Sequence, residues 1–265
     1  MNDIPVVILC GGAGTRMRGG TLTKKELVPI GGRPILWHVM RIFSTFGFYR
    51  FVLPLGYEGE TIKRYFLEYE TLRRDLTVRV GGADQTIGDG RVHFHDLQAH
   101  PQWEIVMIDT GETTDKASRI KQVAPHLEGD RFFVTYGDGV GNVDLTALLD
   151  FHRGHERMAT VTAVQARFQY GVLEAGEDGQ VSAMRQYPPL PYWINAGFML
   201  FERPVLEMIG EGPDMALETG LFHDLINAGE MMRFQHHGFW RSMDTLKDNI
   251  ELEELWSAEA PWKVW

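Results

Sequence analysis

A chain of 265 residues with 44% hydrophobic and 23% charged side chains has the balance of an ordinary soluble globular protein, sized for one large α/β domain or one with a small appendage. The formal charge of −10 argues against a general nucleic-acid binder but leaves room for a nucleotide, which needs only a local basic pocket. Cys10 is the only cysteine, which excludes intrachain disulfides and a cysteine-rich zinc site.

No apolar stretch is long enough to span a bilayer, so no membrane association is expected. Asp3 is followed directly by a core strand, with no signal-peptide pattern, and the expected compartment is cytoplasmic.

The chain opens on Ile4-Pro5-Val6-Val7-Ile8-Leu9-Cys10, a short β-branched run that reads as a buried strand. It ends in Gly11-Gly12-Ala13-Gly14, then Thr15 and Arg16. Such a turn lets the backbone come close to a ligand, its amides can bind phosphate oxygens, and Arg16 can add a fork of donors. The other reading is a tight strand-to-helix bend. A dinucleotide fingerprint read from Gly12 fails at Met17, and a P-loop read from Gly14 fails at Gly20, where the lysine belongs. An NAD-dependent dehydrogenase and a P-loop kinase or GTPase are therefore disfavoured.

Residues 19–32 form a loop with Lys24 and Lys25, placed to close over a phosphate or simply to be solvated. Pro34 starts a helix whose apolar face is Ile35, Leu36, Val39, Met40, Ile42 and Phe43; Gly47 ends it. Tyr49 to Leu55 is a second strand and Thr61 to Leu72 a second helix. Strand, helix, strand, helix in succession predicts a parallel sheet with right-handed crossovers.

Arg91 to His95 alternates as a strand does. His93, His95 and His100 lack the partner spacing of a metal site and read as surface histidines. Glu104 to Thr110 is a strand closed by Gly111, and Ala117 to Leu127 an amphipathic helix carrying Arg119. Arg131 to Tyr136 is a buried strand leading to Gly137-Asp138-Gly139. A carboxylate at the carboxyl end of a central strand suits magnesium (Mg²⁺), a hard cation that binds oxygen and phosphate together; the alternative is an Asp-Gly turn. Asp144 to His155 is a helix and Ala159 to Ala166 a strand.

Past residue 166 the pattern changes to short strands about Gly176-Glu177-Asp178-Gly179, a proline-rich link, and the aromatic run Trp193 to Phe201, interrupted by Asn195. A buried Asn needs partners, and a sugar hydroxyl is one. Phe222 to Ala228 is a helix and Met231 to His236 a strand. Asp244 either completes the Mg²⁺ site or caps the following helix. Asn249 to Trp256 is an acidic helix, and Trp262 and Trp265 read as packing or subunit-contact residues. The division expected is a nucleotide-binding core over 1–166, a sugar-side lobe and metal-completing segment over 167–245, and a C-terminal tail over 246–265, all one catalytic domain.

These residues carry a resemblance. Leu9 to Arg16 with Lys25, Gly31 to His38, Asp109-Thr110-Gly111, Thr135 to Val140, Asp150-Phe151-His152, Gly238-Phe239-Trp240, Met243-Asp244-Thr245 and Ala260-Pro261-Trp262-Lys263 span almost the whole chain. Together they resemble the sugar-1-phosphate nucleotidyltransferases, and within them the cytidylyltransferases acting on glucose 1-phosphate.

The resemblance implies an α/β fold with a Rossmann-like, mostly parallel central sheet flanked by helices, a small β-rich sugar-side lobe and a C-terminal helix. It implies that Leu9, Gly11, Gly12, Ala13, Gly14, Thr15, Asp109, Thr110, Gly111 and Arg119 bind the nucleotide CTP. Arg16 and Lys25 would be the catalytic cations, Asp138 and Asp244 the Mg²⁺ ligands, and Tyr136, Gln186, Tyr187 and Asn195 the substrate side. A homo-oligomer is implied too. The chemistry would be attack by the acceptor's phosphate oxygen on the α-phosphorus of CTP, with release of pyrophosphate.

Two departures stand out. In the lysine loop, Lys24 and Glu26 replace prolines and Thr23 an earlier lysine, predicting a more mobile loop in which Lys24 supplies the missing charge. Where the family has Glu-Lys-Pro, with its lysine on the sugar's phosphate, this chain has Gln186-Tyr187-Pro188. That predicts an altered acceptor, phosphorylated or phosphonate, unless Arg185 reaches in. A different nucleotide such as UTP or dTTP, and a non-catalytic nucleotide-binding protein, are the remaining alternatives.

Overall fold

The computed structural model describes residues 4–12, 24–69, 71–79, 92–95, 102–168, 170–186 and 188–265. In chain order, β1 (Val6–Leu9) leads to a one-turn helix at Lys25–Leu27, a small hairpin of β2 (Pro29–Ile30) and β3 (Arg33–Pro34), and α1 (Ile35–Thr45). Then come β4 (Arg50–Leu55), α2 (Gly59–Leu67), a peripheral pair β5 (Leu76–Val78) and β6 (Val92–Phe94), β7 (Glu104–Asp109), α3 (Lys116–Gln122), β8 (Arg131–Tyr136) and β9 (Gly139–Gly141). The second half comprises α4 (Leu145–His155), β10 (Ala159–Arg167), the hairpin β11 (Val172–Ala175) and β12 (Val181–Arg185), β13 (Pro189–Asn195) and β14 (Met199–Glu202). It continues through α5 (Phe222–Asn227), β15 (Met231–His236), β16 (Trp240–Ser242) and α6 (Leu246–Ala258).

One eight-stranded sheet holds these together, in the order β13-β10-β14-β8-β1-β4-β7, with β15 on the other edge of β10. Successive pairings set the directions: β1, β4, β7, β8, β10 and β15 point one way, and only β13 and β14 run against them. β13 and β14 lie end to end along one edge of β10, Asn195 opposite Ala163 and Leu200 opposite Thr160. The run expected as one aromatic stretch, Trp193 to Phe201, is thus two strands. The break is the turn Ala196-Gly197-Phe198, where Gly197 and Phe198 both adopt left-handed backbone (φ 74° and 46°). A phenylalanine rarely sits there; its amide bonds Thr135 Oγ1 and its carbonyl accepts from Thr162 Oγ1, which hold it in place.

Strand alternation divides the core. Val6 and Ile8 of β1 and Phe133 of β8 face α1, while Val7, Leu9, Phe132 and Val134 face the side of α3 and α5. α4 begins at Asp144, whose carboxylate accepts from the amides of Thr146 and Ala147, both at 2.9 Å. α6 begins at Thr245 in a capping box with Asp248. The capping role considered for Asp244 therefore belongs to its neighbour. α2 ends at Leu67, short of the expected Leu72, because both leucines stand exposed and have no apolar surface to follow. α3 likewise ends at Gln122, and a separate turn at Ala124–His126 follows.

The tail after α6 returns to the core. Trp262 is fully buried and its indole donates to His38 Nδ1 at 3.3 Å, while His38 Nε2 donates to the Ile30 carbonyl at 2.8 Å. Of the two roles considered for Trp262, packing is the one seen. Trp256 lies against Gly31, at φ 57°, where a Cβ would fall 1.9 Å from the indole nitrogen. Glu253 accepts from the Gly31 amide, and Asn249 donates to the Pro29 carbonyl. The tail thus clamps the segment that follows Lys25.

Candidate active site

Parallel strands present their carboxyl ends on one side of a sheet, and at a change in strand order the loops there diverge to leave a crevice. β1, β4 and β7 end at Leu9, Leu55 and Asp109, and β8 beside them ends at Tyr136. Over these ends lies a cleft of about 910 Å³. Its wall contains Leu9, Gly11, Gly12, Lys25, Arg119, Tyr136, Asp138, Asn195 and Asp244, so the fold brings together predicted residues separated by most of the chain.

At its centre, Lys25 Nζ donates to Asp138 Oδ2 at 2.7 Å and to Asp244 Oδ1 at 2.8 Å. Asp138 follows β8; Asp244 follows β16, which is paired with β9, and Ser242 donates to its Oδ2 at 2.8 Å. Burial alone pulls the Lys25 ammonium's pKa down, but Asp138 and then Asp244 more than offset it and hold it above its ordinary value. One cation between two carboxylates widely separated in the chain is a charge arrangement a hard divalent ion also satisfies.

Arg119, expected to bind the nucleotide, is buried against Gly11. It donates to the Leu55, Gly11 and Glu112 carbonyls and to Thr110 Oγ1. Thr110 is itself tied to the Leu55 carbonyl through its amide and hydroxyl, and Asp109 accepts from the Gly111 amide. Asp109, Thr110 and Gly111 are not among the residues that line the cleft, which Glu112 to Lys116 are; of the three only Thr110 is buried. The guanidinium explains why Gly11 and Gly56 are glycines, because a Cβ there would lie 2.3 Å and 2.6 Å from it. Ala13, Gly14, Thr15 and Arg16 lie outside the described residues.

The loop substitutions do not act as expected. Lys24 is almost wholly buried, donating to the Gly12 carbonyl at 2.7 Å and the Tyr57 carbonyl at 2.6 Å. Glu26 is buried beside it, 3.8 Å from its ammonium, and burial pushes the carboxyl up to about 7. Lys24 therefore anchors the base of the glycine turn instead of standing open to an acceptor phosphate, and the described part of the loop, from Lys24 on, is pinned.

Tyr136 and Asn195, both expected on the substrate side, meet in the cleft, Asn195 Nδ2 donating to Tyr136 Oη at 2.9 Å. The same hydroxyl donates to Glu218 Oε1 at 2.9 Å, and Lys116 Nζ reaches that oxygen at 2.5 Å. Burial raises the Tyr136 pKa, and Glu218 raises it further. Burial acts in the same sense on Glu218, but the bonds from Lys116 and Tyr136 outweigh it and hold the carboxylate below its ordinary range. Gln186 is exposed beside Gly171 and is not among the residues lining the cleft; Tyr187 lies outside the described residues. Arg185 pairs with Glu174 across the β11–β12 hairpin and does not reach in.

Sequence reasoning missed Lys116 and Glu218. Neither carries a motif: Lys116 is the first residue of a short helix, and Glu218 sits in an irregular π-turn at Leu217–Leu221. Glu218 is brought in by packing of that turn against α3.

The nucleotidyl transferase family matches residues 5–256. Over 263 residues, 98% of each chain, the sequence is 38% identical to glucose-1-phosphate cytidylyltransferase of Salmonella typhi. Among solved structures, HddC from Yersinia pseudotuberculosis superposes with a TM-score of 0.65 at 19% identity, covering 95% of this chain and 98% of that one. The inositol-1-phosphate CTP transferase from T. maritima does so with a TM-score of 0.62 at 15% identity, covering 96% and 94%. The structural likenesses speak to the fold; the near full-length sequence match, on a cleft built as described, shows that this chain belongs to the nucleotidyl transferase family.

Proposed function

We propose that the chain transfers the cytidylyl group of CTP to a sugar 1-phosphate, of which glucose 1-phosphate is the first candidate, forming a CDP-sugar and releasing pyrophosphate. The observation that carries this is the Lys25 ammonium shared by Asp138 and Asp244 in a cleft also lined by Gly11, Gly12 and Arg119, which this reading takes as the nucleotide wall, and by Tyr136 and Asn195, which it takes as the acceptor wall. The full-length likeness to a cytidylyltransferase supports the choice of CTP.

A phosphate monoester oxygen is already nucleophilic at neutral pH. It forms a bond to the α-phosphorus of CTP as the bond from that phosphorus to the bridging oxygen breaks, and the pair of electrons leaves with pyrophosphate. No general base is required. The site's task is to hold two anions in line and neutralise the charge that develops. Lys25 answers to this in the described structure, and Arg16 by resemblance. The donor set of Asp138 and Asp244, oxygen only and beside a phosphate site, fits Mg²⁺; when bound, the ion supplies charge neutralisation on the nucleotide's phosphates. The family resemblance also supports a homo-oligomer in the cytoplasm.

Incubation with CTP, Mg²⁺ and a panel of sugar 1-phosphates, following pyrophosphate, tests the reading. Release that depends on both substrates is expected; none with any member overturns it. A second reading, an acceptor other than glucose 1-phosphate, is favoured by the placing of Gln186 outside the cleft. A kcat/KM for glucose 1-phosphate of about 10⁴ M⁻¹s⁻¹ or more removes the need for it.

A further inference from the structure

Three cations line the cleft among the described residues: Lys25, Lys116 and Arg119. Lys25 is engaged by two carboxylates, and Arg119 by the carbonyls beneath the glycine turn. Lys116 differs from both. Its side chain is 48% exposed, its ammonium stands 5.1 Å from the centre of the Tyr136 ring, and it meets Glu218, itself 40% exposed. An ion pair so open to water is weak and exchanges partners at little cost. The position matters as much. Lys116 follows directly on the 112–115 loop of the nucleotide wall, yet its ammonium reaches the Tyr136–Asn195–Glu218 group of the acceptor wall.

From this geometry, and resting on the function proposed above, we propose that Lys116 is the acceptor-specificity cation of the cleft: it binds the phosphate of the sugar 1-phosphate, replacing the lysine absent from Gln186-Tyr187-Pro188. Of the other cations considered for that place, Lys24 is committed to buried carbonyls, and Arg185 stands on the β11–β12 hairpin beside Glu174, away from the residues that line the cleft. On acceptor binding the ammonium turns from Glu218 Oε1 to a phosphate oxygen. Glu218, still held by the Tyr136 hydroxyl, is left with acceptor capacity for a sugar hydroxyl. Because Lys116 is carried by the nucleotide wall, ordering of that wall by CTP also places the cation that receives the second substrate.

The test is steady-state kinetics of wild type, Lys116→Ala and Lys116→Arg with both substrates varied. Lys116→Ala is expected to raise KM for the sugar 1-phosphate on the order of 10-fold or more, the worth of one charged hydrogen bond. KM for CTP is expected to stay within about twofold, and Lys116→Arg to recover most of the loss, because the charge is kept. Three results overturn the proposal: an unchanged acceptor KM in Lys116→Ala, an equal rise in both KM values, or Lys116→Arg behaving as Lys116→Ala. Calorimetric binding of glucose 1-phosphate in the presence of CDP reads the same contact without turnover. If wild type releases no pyrophosphate, the functional reading fails by itself. The Lys116 contact then stands if wild type binds glucose 1-phosphate more tightly than Lys116→Ala, and falls if the two bind alike or neither binds.

Discussion

Lys25 and Asp138, 113 positions apart in the chain, are joined by a 2.7 Å charged hydrogen bond at the centre of the cleft. Lys25 also holds Asp244, 219 positions away, so one ammonium ties the first loop of the protein to its last strand connection. A lysine in that place balances the two carboxylates.

On the proposed function, Lys25→Ala removes a charge from the transition state, and it leaves Asp138 and Asp244 facing each other. Loss of about 2.7–4 kcal/mol of transition-state stabilisation is expected, roughly 10²–10³ in kcat, measured as pyrophosphate release. Asp138→Asn is expected to fall as far, with a raised requirement for Mg²⁺. Chelation by EDTA should stop turnover of wild type and added Mg²⁺ restore it; turnover that persists in excess chelator would remove the two aspartates from the metal role.

At Gly11 the demand for glycine comes from within the protein. A Cβ there would lie 2.3 Å from the Arg119 guanidinium carbon, and Arg119 has little room to withdraw because its bonds hold the ends of β1 and β4. Gly11→Ala is expected to destabilise by about 1–3 kcal/mol through overpacking and to lower CTP affinity by displacing the turn. Chemical denaturation and calorimetry with CTP check the two effects separately. At Gly12 a Cβ meets nothing within 4 Å, so Gly12→Ala is the control for stability.

Lys24 donates to the Gly12 and Tyr57 carbonyls from a buried position. Lys24→Met keeps the length of the side chain and removes both donors. A loss of about 1–3 kcal/mol in unfolding free energy is expected from the stranded carbonyls. The acceptor KM should change far less than in Lys116→Ala, which separates the anchoring lysine from the substrate-facing one.

His38 gives the protein an acid-sensitive joint. It is fully buried, its Nδ1 accepts from Trp262 and its Nε2 donates to Ile30, so the neutral ring fits and a second proton would oppose the Trp262 N–H. Burial pushes its pKa down to about 4 from an ordinary 6.5. The folded state thus binds fewer protons than the unfolded state between these values. The stability due to neutral His38 is complete above about pH 6.5 and is lost as the pH falls toward 4, by up to about 3 kcal/mol. Comparing denaturation of wild type and His38→Gln from pH 7.5 to 4 isolates the effect: the difference between them should shrink as the pH falls. A constant difference would refute it.

Much of this protein could be read from its residues alone, for reasons local to the chain. The short apolar runs at Val6–Leu9 and Arg131–Tyr136, each followed closely by glycine, marked the paired central strands and their carboxyl ends. The Asp138 turn between two glycines was equally legible, whereas the cap considered at Asp244 proved to be Thr245. What packing alone decided is which group each charged side chain meets. Arg119 turned to the carbonyls beneath the glycine turn, and Lys24 and Glu26 went inward where a mobile loop was expected. Trp262 came back to His38 across 224 positions, and Lys116 was carried to Tyr136 and Glu218. Periodicity and turn chemistry act over a few residues and are written in the sequence. Burial and ion pairing between distant segments follow from the order of strands in the sheet, which no short stretch records.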